Sequence, residues 1–440
     1  RGQKPPTLIH KNMPALCRLQ KGRNSFMKKT NSRLYLLLIL VPLILFAGII
    51  GYYFLGTAAT GGRPIAVTAT PTPVPSPTPL PTPTPLPTPT PFLEHDITLM
   101  AVGDNLMHMG IVASGRQEDG TYDYSMLFDG IRPFLDTADV KIINQETILG
   151  GNSRGFSGFP YFNSPTEVGD AIADAGFNVV LHASNHTADQ KLDGLLYCAQ
   201  FWEEQHPDIL VTGIHEDISQ ADDIPLLTVE DVTFAILNYT YGANTETLPL
   251  NLLGHLNLLC AVNEQTGQMD FTTLNPQVLE DISRAKELAD IVIVCPHWGT
   301  EYSSKASGYQ KKWAEAMTEA GADVIIGTHP HVVEPVEWIT AENGNEALCY
   351  YSLGNYVSSQ KKAISMLEAL AWVTFHVTEN DITIDREHTG ALPLVCQYTA
   401  GPVRFQNVYL LEDYTEDLAA SHGIRNYGGV TLRLEDLQKW

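Results

Sequence analysis

The chain predicts a layered α/β domain, and three observations predict it. Short apolar runs of strand type each end in Asp, Glu, Asn or His. Helical segments alternate with these runs at intervals of about 25–35 residues. Runs this apolar suit buried strands of a mostly parallel sheet, where ligands bind outside the carboxyl ends of the strands.

The first run, 97–102, passes into Gly103-Asp104-Asn105, with His108 close behind. The second, 140–143, passes into Asn144-Gln145-Glu146. A helix over 164–175 precedes the run 179–183, which leads into Ser184-Asn185-His186 with Asp189 three residues later. Residues 276–290 carry Val278, Ile282, Ala285 and Leu288 on one helical face. The run 291–295 follows and delivers His297, Glu301 and Tyr302. A helix over 309–320 leads to 324–326 and then Gly327-Thr328-His329-Pro330-His331. Pro330 biases His329 towards extended backbone, which would project both imidazoles the same way. The strand 348–351 comes before Gly354-Asn355, and 370–384 reads as two strands around a turn at 379–381, a β-rich edge.

Each polar residue taken singly has a plain alternative as a helix cap or a satisfied turn residue. Five strands ending this way argue for one shared site. Oxygen and imidazole donors in this mix suit Mn, Fe, Zn or Mg, and no thiolate joins them. The five cysteines after the first apolar span have no regular spacing and no Cys-x-x-Cys, so neither a disulfide framework nor a structural zinc site is indicated.

Residues 34–55 form an unbroken apolar stretch of 22 residues, long enough to span a bilayer. Nine Lys and Arg and no acidic residue come before it, so the sequence predicts a single-pass anchor with 1–33 cytoplasmic and everything later outside the cell. A cleaved signal peptide, with Ala58 and Ala59 near the cut, is the alternative. Met27, followed by two lysines, reads as a natural start. Within a linker over 56–95, residues 68–91 alternate Thr-Pro and Leu-Pro and should run near polyproline II, about 75 Å at full extension. Beyond the span, 18 basic residues face 50 acidic ones, which argues against a nucleic-acid partner. A polyanionic substrate would then need a local positive centre, which divalent cations supply.

The ordered set Val102-Gly103-Asp104, Asn144-Gln145-Glu146, 184–189, 297–302, 327–332 and 351–356 resembles the CapA family of capsule-biosynthesis proteins, known also for poly-γ-glutamate synthesis. That resemblance implies a four-layer α/β/β/α sandwich related to metallophosphoesterases, over 96–362 with a β-rich part at 363–440 completing the domain. It implies metal ligands at Asp104, Glu146, Asn185, His297, His329 and His331. His186 matches a general acid, with Asp189 and Glu301 as further catalytic candidates and Asn105, Tyr302 and Asn355 as substrate contacts. Partners would be poly-γ-glutamate or another anionic surface polymer and an integral-membrane capsule synthase. The sequence departs from metallophosphoesterases where His108 follows Asp104 by four residues instead of two, and where Asn144-Gln145-Glu146 replaces Gly-Asp-x-x-Asp/Glu. It departs from the CapA pattern at Gln145, Ser184 and Glu334, the last standing where Gln is commoner. Three functions stay open: a polymer-handling metal site, a secreted metal-dependent phosphoesterase, and a non-catalytic polymer-binding scaffold.

Overall fold

The computed structural model describes residues 92–399 and 401–440; the expected anchor at 34–55 and the Pro/Thr stretch 68–91 lie outside the described residues. No helix among the described residues is long and apolar enough to cross a membrane. The fold is mixed α/β with two large sheets. With strands numbered in chain order, the first sheet holds β1 (His95–Asp104), β2 (Val140–Asn144), β3 (Val179–Leu181), β4 (Leu210–Thr212), β13 (Leu367–Val377), β14 (Ile382–Ile384), β15 (Gly390–Tyr398) and β16 (Phe405–Leu410). Its order is β16-β15-β13-β1-β2-β3-β4, with β14 beside β13. The second sheet runs β11 (Val336–Thr340), β12 (Glu346–Tyr350), β10 (Val324–Ile326), β9 (Ile291–His297), β6 (Val232–Thr240), β5 (Leu226–Val229). A two-stranded ribbon, β7 (Cys260–Val262) and β8 (Met269–Leu274), completes the set.

The parallel runs are divided between the two sheets: β1 to β4 pair in parallel in the first, and β6, β9, β10 and β12 in the second. Alternate side chains explain the stacking. Ile97, Leu99, Ala101, Ile142 and Val179 of the first sheet share a buried cluster with Phe234, Ile236, Ile293, Val324 and Leu348 of the second. Phe234 meets Phe375 edge to face across this layer at 5.4 Å. The opposite faces carry Val102, Ile143, Val180, Val292, Val294 and Ile325. These are buried by helices α1 (Glu167–Ala175), α2 (Lys191–Gln205), α3 (Pro276–Leu288) and α4 (Gly308–Ala320), so strands apolar on both faces read as continuous runs.

Local signals set the helix ends. Gly176 closes α1 at φ +94, Asn275 caps Gln277 N–H before Pro276 opens α3, and Ser307 with Gln310 forms a capping box on α4. The two C-terminal strands differ from expectation in position. β13 is interior, between β1 and β15, because it is buried along nearly its whole length and pairs with β1 over 371–377 and with β15 over 367–372. It is not an edge. The five cysteines among the described residues are buried free thiols.

Candidate functional site

Asp104 closes β1, and one irregularity places it. The register of β1 on β2 shifts between Val102 and Asp104, a bulge that re-aims the next side chain. A Cβ on Gly103 would lie 2.0 Å from the Gly354 carbonyl oxygen, so only glycine fits the bulge. Gly103 N–H donates to Glu368 Oε1 at 2.9 Å, and Asp104 N–H to Gly354 O at 2.9 Å. The Asp104 carboxylate is then wholly buried, accepting from Asn144 Nδ2 at 2.7 Å and His331 Nδ1 at 3.0 Å.

Glu146 follows β2 by two residues. Its oxygens lie 3.7 Å from His331 Nδ1 and 4.0 Å from His297 Nε2, and neither accepts a hydrogen bond from the protein. The turn after β3 is fastened to the same segment, because Ser184 Oγ donates to Glu146 O at 2.6 Å and accepts from His186 N–H at 3.1 Å. This turn delivers Asn185, whose Oδ1 accepts from His297 Nε2 at 2.9 Å. His297 ends β9, with Nδ1 against the Thr328 hydroxyl at 2.9 Å.

β10 stops at Ile326, and His329 and His331 have φ +96 and +59, not the extended backbone expected before Pro330. The loop doubles back over the end of β1: His329 N–H reaches Asp104 Oδ2 at 3.3 Å, and Tyr302 N–H donates to Pro330 O at 2.7 Å. Those bonds hold left-handed backbone that would otherwise be costly. The His329 ring lies 4.7 Å from Tyr241, 4.8 Å from His297 and 5.8 Å from His331. All six residues expected as ligands therefore meet in one buried cluster.

Burial pushes His297 and His329 well below the usual imidazole value, and their imidazole neighbours add to it. Both are neutral. Burial works against charge on His331 too, but Glu146 and Asp104 outweigh it and hold the group at about 9. Burial pushes Glu146 well above the usual carboxyl value; His331 pulls it back, while Asp104 adds to the rise. Donor atoms of Asp104, Glu146 and His331 lie within 4.8 Å of one another, a buried group that could bind a metal. Both Glu146 oxygens, Asn144 Oδ1, Asn105 Oδ1 and His329 Nδ1 are buried without a hydrogen-bond partner among the described residues. Orphaned groups cost about 1–3 kcal/mol each, so the donor set fits a divalent cation and the oxygen ligands it brings.

The remaining candidates take distinct places. His186 donates from Nδ1 to Asp189 Oδ2 at 2.8 Å, and that oxygen also accepts from Phe162 N–H at 2.6 Å. The Phe162 ring stands edge-on to His186 at 4.6 Å. Glu301 is exposed on the turn after β9, and the next residue, Tyr302, has φ +64 and its ring 5.9 Å from that of His331. Asn105 is buried with its amide on Gln145 Oε1 at 2.7 Å. Asn355 is also buried, its Nδ2 shared among Gln360 Oε1, Ser358 Oγ, Ser365 O and His331 O, so it braces the His331 loop from behind. His108 starts the short helix Met109–Val112, as a helix-start residue would. His182 is a core histidine, receiving Trp202 Nε1 at 2.8 Å and pushed by burial to about 3.

Sequence reasoning missed Asn244 and Tyr241. Asn244 Oδ1 accepts from Asn185 Nδ2 at 3.1 Å, and its own amide lies 3.5 Å from His186 Nδ1. The signal was the apolar run 232–237, which ends in polar residues like the other five. Glu368 was missed because β13 places a carboxylate inside the sheet, 265 positions from the N–H it accepts.

Glu334 links this loop to α4. It accepts from Gln310 Nε2, and burial raises its carboxyl to about 7. An acid raised in the folded state costs stability as pH climbs from its unfolded value, near 4.5, through 7. The stability lost is about 3 kcal/mol. Glu334→Gln keeps an acceptor for Gln310 and removes that loss. The variant should match the wild type at pH 5 and exceed it at pH 8 in denaturant midpoint; an equal gap at both pH values would refute this reading.

The family model described as bacterial capsule synthesis protein PGA_cap matches residues 98–360. The chain is 28% identical over 297 residues to the capsule biosynthesis protein CapA of Bacillus anthracis, covering 66% of each chain. It is 32% identical over 211 residues to the PGA biosynthesis protein CapA of Bacillus subtilis (strain 168), covering 48% of this chain and 49% of the relative. It is 22% identical over 318 residues to the uncharacterized protein y4uA of Sinorhizobium fredii, covering 59% of this chain and 65% of that one. The chain spans from about half to about two thirds of the length of the curated relatives it matches. With a matched region of more than half its length carrying the whole polar cluster, this chain belongs to the PGA_cap family of bacterial capsule synthesis proteins.

Proposed function

We propose that this chain is a membrane-anchored, extracellular component of poly-γ-glutamate capsule production, with a divalent-cation site that handles the polymer or its attachment. One observation carries the site: six donors from the ends of strands in two sheets converge in a buried cluster whose Glu146 carboxylate accepts no hydrogen bond from the described residues. Family membership and the names of the Bacillus relatives support the polymer. The charge pattern around 34–55 supports the anchor, and an integral-membrane synthase is the natural partner of a domain so tethered. The apolar layer between the sheets supports a four-layer α/β/β/α sandwich of metallophosphoesterase type, and the pairing of β13 with β1 supports 363–440 completing the domain that starts at 96.

A bound cation would supply Lewis-acid polarisation of a substrate oxygen. Asp104, Glu146, Asn185, His297, His329 and His331 would hold it. Asp189 fixes the orientation and tautomer of His186, which makes His186 the group to hand a proton to a departing oxygen or nitrogen. Glu301, exposed beside the cluster, is the proton acceptor at its rim. The same His186–Asp189 pairing favours a second reading, hydrolysis of a phosphate ester.

The test is the divalent metal content of the purified protein beside a His329→Ala/His331→Ala double variant. Stoichiometric Mn, Fe or Zn in the wild type, lost in a folded variant, is the expected result. Hydrolysis of γ-glutamyl polymer against phosphate esters then separates the two readings. A folded wild type that takes up no divalent ion when supplied with one sinks both and leaves the polymer-binding scaffold.

A further inference from the structure

Of the 17 Lys and Arg in 92–440, set against 50 acidic residues, four stand as adjacent pairs, Lys311-Lys312 and Lys361-Lys362; Lys311 pairs with Glu337, which leaves Lys361 and Lys362. Neither forms an ion pair among the described residues. Each lies on an aromatic ring instead: Lys362 Nζ is 3.4 Å from the Tyr302 centroid and Lys361 Nζ 5.0 Å from that of Tyr427. Tyr302 is the residue whose ring stands 5.9 Å from His331, so the Lys362 ammonium is one side chain away from the polar cluster.

The placement is built. Gln360, the residue before the pair, is buried; its Oε1 accepts from Asn355 Nδ2 at 3.0 Å and its carbonyl from Tyr398 O–H at 3.0 Å. The same Asn355 amide reaches His331 O, so the lysine loop and the histidine loop are tied through one side chain. Tyr302 is fixed from its own side by the bond to Pro330 O. Cations left on aromatic faces keep their charge free for a ligand, and in a domain this acidic they are the local exception to a repulsive field.

We propose that Lys361 and Lys362, with Tyr302, form an anion cradle at the mouth of the cluster that takes an extended chain of carboxylates. Two ammonium groups splayed onto different rings match charges repeated along a polymer better than a single compact phosphate. The inference rests on the reading of the cluster as a polymer-handling metal site, and it assigns the polymer's point of entry. Lys362 is a positioning residue for substrate, and Glu301, one residue from Tyr302, sets the acidic border of the cradle.

The test uses the full chain loaded with divalent metal, probed with a short γ-linked oligoglutamate and with inorganic phosphate in a parallel arm. Metal content is measured on every sample. The Lys361→Gln/Lys362→Gln variant should retain its metal and bind the oligomer about tenfold more weakly, with the wild-type affinity falling as salt rises. Lys362→Arg should retain most of the oligomer binding that the double Gln variant loses, since a guanidinium also keeps a cation on the ring. Unchanged affinity in the double Gln variant overturns the proposal, as does a metal-loaded wild type that binds no oligomer. Phosphate bound as tightly as the oligomer overturns the polycarboxylate assignment. Loss of metal from the wild type itself reports separately on the reading of the cluster.

Discussion

Glu146→Gln is expected to raise the stability of the metal-free protein while removing most of its affinity for a divalent cation. Asp104 and Glu146 are two buried carboxyl groups facing one protonated imidazole, His331. Gln at 146 leaves a balanced Asp104–His331 pair and removes the carboxyl that burial holds above its usual value. The gain should be on the order of 1 kcal/mol or more. With metal at about 100 times its dissociation constant, the wild type should gain about 2.7 kcal/mol, and the variant little at the same concentration. Thermal melts with and without metal check both halves, and a metal-free variant that melts below the wild type would contradict the charge argument. Binding by His331 also requires loss of its proton, so wild-type affinity should rise as pH goes from 6.5 towards 9, by about tenfold per unit for each proton displaced.

Gly103→Ala is expected to cost more than about 3 kcal/mol and to empty the site of metal. The new Cβ would meet backbone, the Gly354 carbonyl at 2.0 Å, and Gly354 itself has φ +79, with Leu367 O only 3.0 Å from where its own Cβ would lie. Neither can swing aside as a side chain would. The bulge must open, which breaks the Asp104 N–H bond to Gly354 and moves the Asp104 carboxylate off His331. Gly308→Ala is the matched control: nothing lies within 4 Å of a Cβ there, at the first turn of α4. It should be neutral or slightly stabilising in the same denaturant titration. A Gly103→Ala protein that kept both midpoint and metal would show the bulge to be incidental.

The residues of the cluster were readable because each follows an apolar run closely, and a strand buried on both faces announces its own end. Asp104, Glu146, Asn185, His297, His329 and His331 all satisfy that rule. Which strands share a sheet was not readable, since a continuous apolar run signals burial on both faces and names no partner; β1 and β9 look alike and lie in different sheets. Helix α2 passed unnoticed because its apolar residues, at 195–199 and 201–202, are spread around the helix and do not form one stripe. The backbone of His329 was misjudged because the preference before proline is local, whereas the bonds to Asp104 and from Tyr302 to Pro330 come from remote chain. Asn355 looked like a site residue for the same reason that it is not at the surface: it sits at a strand end, turned towards the loop it supports.

Asp104 and His331 are 227 positions apart in the chain. Closing so long a loop carries an entropic cost that grows with its length, and contacts of this separation form late. The separation of 40 positions between Asp104 and Asn144 is therefore expected to close first, which would commit both carboxylates to β1 and β2 before His297, His329 and His331 arrive. A chain that has not yet produced its last third has nothing to hold a cation with except water-exposed acids. Metal would then enter as a latch on a finished structure rather than as the nucleus that starts it, slowing unfolding while leaving the folding rate nearly unchanged.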